Sequence, residues 1–159
     1  MDPISILTSV SAASRLTLAL STTLFTFIHA TRNIDQSVRA LYDEVKGLIL
    51  TLDAIGSSIQ ASNIGKGKQP EQNPELWKRV AASLDHCRGT VESMGESLES
   101  IKNSSSNFAG QALRAFKLNW KEDQINISRS QIHSHNSALQ LALQMINVYV
   151  KFSMLKLHF

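Results

Sequence analysis

A chain of 159 residues with 43% apolar and 18% charged side chains has enough material for one core, and this composition excludes a disordered chain. Its formal net charge of +3 is too weak for a nucleic-acid binder, which needs a dense basic stripe, but is compatible with attraction to an anionic membrane face. A single cysteine excludes an internal disulfide and favours a reducing, intracellular setting; three prolines and seven glycines leave room for long helices.

The first predicted helix opens at Asp2-Pro3, a side-chain acceptor followed by a residue whose missing N–H costs nothing in a first turn. Ile6, Val10, Ala13, Thr17, Leu20, Leu24 and Phe27 recur at alternating steps of four and three, one buried seam on a helix. Leu7, Leu18, Phe25 and Ile28 add apolar surface outside that seam, and Arg15 is the one charge between Ile4 and Ile28. Such a helix calls for cover nearly all round, from protein or from lipid. Ile6, Val10, Leu20, Leu24, Phe25, Phe27 and Ile28 are the candidates for a membrane-active face. Leu16 to Ile28 has the length of a signal peptide's apolar core, but no basic cluster precedes it. A permanent transmembrane span is possible on length, although serines and threonines from Ser5 to Thr26 dilute the run. The unbroken seam favours a packed bundle helix.

A second helix is predicted over about 34–62. Ile34, Val38, Leu41, Val45, Leu48, Leu52, Ile55 and Ile59 keep a heptad step throughout. Gly65-Lys66-Gly67-Lys68 lies in a loop and lacks the spacing, the preceding strand and the hydroxyl of a phosphate loop. Asn73-Pro74 caps a third helix over about 74–102, with Trp77, Val80, Leu84, Cys87, Val91, Met94, Leu98 and Ile101 in its seam. Cys87 reads there as a small buried hydrophobe.

A short helix is expected over about 108–117. Arg114, Phe116, Lys117, Trp120 and Lys121 interleave cations with aromatics, either as an interfacial membrane belt or as the cap of a bundle end; the cap is the favoured reading. The last long helix runs from about 122 to 150 on Ile125, Ser128, Ile132, His135, Leu139, Ala142, Ile146 and Tyr149. An amphipathic tail, 151–159, prolongs it. The predicted fold is all-α: an antiparallel four-helix bundle of long heptad-patterned helices, with a short connecting helix before the last one. Thirty helical residues span about 45 Å against a bilayer core of about 30 Å. Of the four helices, only the first reads as apolar enough to cross.

Little chemistry is legible. His133 and His135 are two apart, so on a helix they face different ways and cannot share a metal; His135 reads as a hydrogen-bonded core residue. Asp43-Glu44 and Glu122-Asp123 read as solvated surface charge or as first-turn partners of a helix dipole, not as an acid/base pair. No nucleophile, base and orienting group stand at a readable spacing, so neither enzyme activity nor any cofactor is expected.

The opening Met1-Asp2-Pro3-Ile4-Ser5, leading into a Ser/Ala/Leu-rich helix, resembles the start of a fungal domain found at the N-terminus of STAND (NLR-like) proteins. That family is also named after an azaphilone pigment cluster protein L. Downstream, Phe116 to Glu122, Ile125 and then Ser137 to Leu143 are similar to the family's pattern. That pattern is a Trp followed by Lys and an acidic residue, then a Ser-x-Leu-x-Leu-Ala-Leu run. The likeness covers about residues 1–150. It implies a bundle akin to HeLo-like domains, in which activated copies oligomerise and an N-terminal helix, here Asp2 to Ile28, engages the plasma membrane from the cytoplasm. The implied partners are a second copy or homologous bundles, a STAND receptor and anionic membrane lipids, with no nucleic acid. A soluble, non-enzymatic adaptor bundle is the alternative. No phosphate loop and no amyloid-like trigger motif is present, so the resemblance supplies no activating signal.

Overall fold

A computed structural model describes residues 3–29, 36–62, 73–103, 120 and 122–157, and the side chains of all of these but 101–103, 122, 156 and 157. Four helices account for them: α1 (Pro3–His29), α2 (Gln36–Ala61), α3 (Pro74–Asn103) and α4 (Glu122–Leu157). There is no strand among the described residues. The short helix expected over 108–117 and the side chains of Ile34 and Ile101 fall outside the description.

The heptad pattern sets the packing. Every described member of the predicted seams of α1, α2 and α3 is buried, and in α4 only His135 and Tyr149 are half-buried. The α3 cap forms as its sequence requires, with the Leu76 N–H donating to Asn73 Oδ1 at 3.2 Å. α4 continues without a break past Val150 to Leu157.

Two contacts fix the direction of α2 against α1. The Phe25 and Tyr42 rings stand 6.2 Å apart, and a Cβ on Gly56 would lie 3.5 Å from Val10 Cγ1, so the pair is antiparallel. Trp77 meets Tyr149 edge-to-face at 5.7 Å and Thr90 meets His135 at 2.7 Å, so α3 and α4 are antiparallel too. Glu44 meets His133 and Thr51 meets Asn136, which makes α2 and α4 parallel. It follows that α1 and α3 also run the same way.

α1 packs on α2 and α3, and α4 packs on the same two helices from the other side. α1 and α4 therefore stand at opposite corners. Successive helices alternate in direction, as expected of an antiparallel bundle, yet two of the neighbouring pairs are parallel. The reason is that the connection from α2 to α3 joins opposite corners rather than adjacent ones.

The expected all-round cover of α1 does not form. Packed on two of the described helices, α1 leaves Ile4, Leu18 and Phe25 exposed, at 57%, 57% and 45%.

Candidate functional site

α1 is helical because its apolar residues repeat at the helical period and nothing inside it breaks the backbone ladder. Its β-branched threonines are not ideal helix formers, but each finds a local partner. The hydroxyls of Thr8, Thr17, Thr22, Thr23 and Thr26 all donate to the carbonyl four residues back, at 2.7–3.3 Å. Among the described residues, no threonine hydroxyl ties α1 to another helix. The threonine hydroxyls that dilute the apolar run are thereby satisfied within the helix itself.

The seven membrane-face candidates divide. Ile6, Val10, Leu20, Leu24, Phe27 and Ile28 are buried in the core, while Phe25 is exposed. Phe25 stacks on His29 with centroids 3.9 Å apart. Arg15, the single charge, is exposed near the middle of α1.

α4 is held differently. Thr51 donates to Asn136 Oδ1 at 2.6 Å, Glu44 lies 3.3 Å from His133 Nδ1, and Thr90 Oγ1 lies 2.7 Å from His135 Nε2. The two histidines thus face α2 and α3 respectively, as their spacing requires. Glu44, read from sequence as solvated charge, instead partners His133. Burial and the nearby His86 hold the His135 pKa below the usual histidine value.

The expectation that only the first helix is apolar enough to cross is incorrect. Both α1 and the span Asp123–Leu155 of α4 are long and apolar enough to cross a membrane by length and composition. α4 qualifies because Lys151 is the only Asp, Glu, Lys or Arg between Ser130 and Leu155. Its outer surface exposes Leu141, Met145, Val148, Phe152 and Leu155, a second four-and-three series. That spacing is visible in the chain but out of phase with the core seam. It borders an apolar groove completed by Leu76 and Asn73 at the start of α3.

Of the interleaved cations and aromatics, Trp120 is buried at 6% and lines, with Met94 of α3 and Ser128 of α4, a groove of mostly polar lining. Arg114, Phe116, Lys117 and Lys121 lie outside the described residues. Among the described residues, no three His, Cys, Asp or Glu side chains converge as metal ligands would.

An all-helical bundle with a Pro3-started apolar first helix and a Ser137–Leu143 run inside its last helix is the architecture that the sequence resemblance implies. A family model covers it from residue 1 to residue 157. The chain belongs to the family described as pigment biosynthesis cluster protein PigL N-terminal. For this PigL N-terminal domain, no curated protein and no solved structure matches. The family match spans all four helices, so α1 and the outward face of α4 both belong to the domain itself.

Proposed function

We propose that this domain is a non-enzymatic helical signalling module of the cell-death type, in which assembly with other bundles frees α1 to engage an anionic membrane. One observation carries the reading: α1 is held by apolar packing with its threonine hydroxyls bonded internally, whereas α4 is tied to both neighbours by side-chain hydrogen bonds. Detaching α1 therefore strands no threonine hydroxyl in lipid, where an unpaired polar group is costly. The exposed Leu18 and Phe25 offer lipid a first contact.

Packing still opposes release. Each buried aliphatic or aromatic side chain of α1 is worth roughly 1.5–3 kcal/mol, so the helix leaves only when lipid or neighbouring subunits replace those contacts. A second copy, a homologous bundle or a STAND receptor supplies the assembly step in this scheme. The domain rests in the cytoplasm and moves to the plasma membrane on activation. Arg15 limits the geometry. The uncharged run from Leu16 to Ile28 is about 20 Å long, short of a bilayer core of about 30 Å. α1 therefore lies in the interface or inserts with Arg15 at the headgroups or in a polar lumen, rather than spanning alone.

Dye release from anionic vesicles tests this. Leu20 and Leu24 are unsuitable targets because they are buried, so a charge there unfolds the core. Lysine at Leu18 and Phe25 keeps the fold and removes the exposed apolar contact. Release by the parent and its loss in Leu18→Lys/Phe25→Lys supports the reading. Equal release by both, or intact vesicles with the parent even after forced oligomerisation, overturns it.

A second reading, a soluble adaptor that pairs with other bundles and never leaves solution, is favoured by the outward apolar series on α4. Intact vesicles in the same experiment support it.

A further inference from the structure

We infer that the outward face of α4 pairs with the same face of a second copy of this chain, as an antiparallel two-helix contact. The pairing does not rest on the membrane step, because α1 stands at the opposite corner of the bundle and stays covered in it.

The periodicity is the first argument. Ala138, Leu141, Met145, Val148, Phe152 and Leu155 are all exposed and step three and four without a fault. A narrow stripe of this kind is the seam one helix presents to another. It extends about 26 Å along α4. The helix is already ordered by the bundle, so pairing does not have to meet the cost of nucleating it.

Charge decides the occupant. A helix lying on an anionic membrane carries Lys or Arg along its polar flank. Among the described side chains, the flank is Gln140, Gln144 and Asn147, all exposed amides, with Lys151 the one full charge. A flank of amides with so few charges weakens the like-charge repulsion that ordinarily keeps two identical surfaces apart.

Register completes the case. Turned antiparallel about the midpoint between Met145 and Val148, the seam matches itself. Met145 meets the other copy's Val148, Leu141 meets Phe152, and Ala138 meets Leu155. The two copies of Lys151 then sit about 14 Å apart along the axis, beyond the screening length of about 8 Å at physiological salt. The apolar groove beside Met145 and Phe152, walled by Leu76, adds a receptive surface next to the seam. A contact of this length falls at the low end of specific interfaces, which bury about 1,200 Å2 or more, so a weak, concentration-dependent dimer is expected.

Sedimentation across a concentration series reads the result on the whole chain. Met145 and Val148 are 37% and 53% exposed, so charges there leave the fold intact, and circular dichroism verifies this. Met145→Glu alone and Val148→Lys alone each weaken self-association at least tenfold. Mixed in equal amounts, they pair again, because each heterodimer places the new carboxylate opposite the new ammonium and keeps one parental layer. A mixture that stays monomeric, single variants that associate like the parent, or a parent that remains monomeric and uses this face to bind anionic vesicles overturns the inference. Leu18→Lys/Phe25→Lys leaves the pairing unchanged, so failure of this contact and failure of α1 at membranes are read separately.

Discussion

Thr51 on α2 donates to Asn136 Oδ1 on α4 at 2.6 Å, across a separation of 85 residues. The Gly47 carbonyl lies at 3.2 Å from the same hydroxyl, so the long-range acceptor is the nearer of the two. Within the same turn of α4, His133 faces Glu44 and His135 faces Thr90. One polar layer therefore pins α4 against both of its neighbours. An apolar seam alone tolerates a slip by a turn; directional bonds at one level do not.

Removing the Asn136 amide should cost about 1–2 kcal/mol, since it leaves the buried Thr51 hydroxyl with only its weaker local acceptor. Urea denaturation of Asn136→Ala, Thr51→Val and the double variant measures it. A coupling energy of about 1 kcal/mol is expected from the cycle, and strict additivity would show that the bond contributes nothing to register.

His135 makes stability depend on pH. Burial, assisted by the nearby His86, holds its folded pKa below the unfolded value of about 6.5. The folded state thus binds the proton less readily than the unfolded state. Above pH 6.5 this group has no effect, and stability falls as the pH drops below 6.5 towards the depressed folded value. Thr90 can donate to neutral Nε2 but must turn to accept from the imidazolium. Denaturation midpoints should fall between pH 7.5 and pH 5.5, and His135→Gln should flatten that slope. An unchanged slope in the variant would assign the dependence elsewhere.

Cys87 is buried within the α3 seam, and burial pushes its thiol up to about 11. Its thiolate is correspondingly scarce near neutral pH, and reagent cannot reach it without opening the bundle. Alkylation by iodoacetamide at pH 8 should therefore proceed only as fast as the protein unfolds, accelerating with urea in step with lost helicity. Rapid labelling of the native protein would contradict this burial.

The helices were legible because one signal governs both prediction and packing. In α2, for example, Val38 through Ile59 repeat at the period that places them on one face, and that face is buried. Other features had no comparable signal. The directions of neighbouring helices depend on which corner a connection reaches, which residue spacing does not encode. Thr51 and Asn136 find each other only once α2 and α4 are parallel. The cover on α1 was overestimated because the apolarity of Leu18 and Phe25 says what they prefer, whereas the number of neighbouring helices decides what they receive. α4 carries two apolar series, and spacing alone does not tell which of them meets the core.

The most direct test of α1 as the detachable element is a lock between it and α2. Gly56 and Val10 lie close enough that cysteines at both positions are within reach of a bridge, given the 3.5 Å from a Gly56 Cβ to Val10 Cγ1. Anionic-vesicle dye release by oxidised Val10→Cys/Gly56→Cys, before and after reductant, is the measurement. Release of α1 from its neighbours predicts an inert oxidised protein that becomes active on reduction. Equal dye release in both states would mean that α1 never leaves the bundle to act.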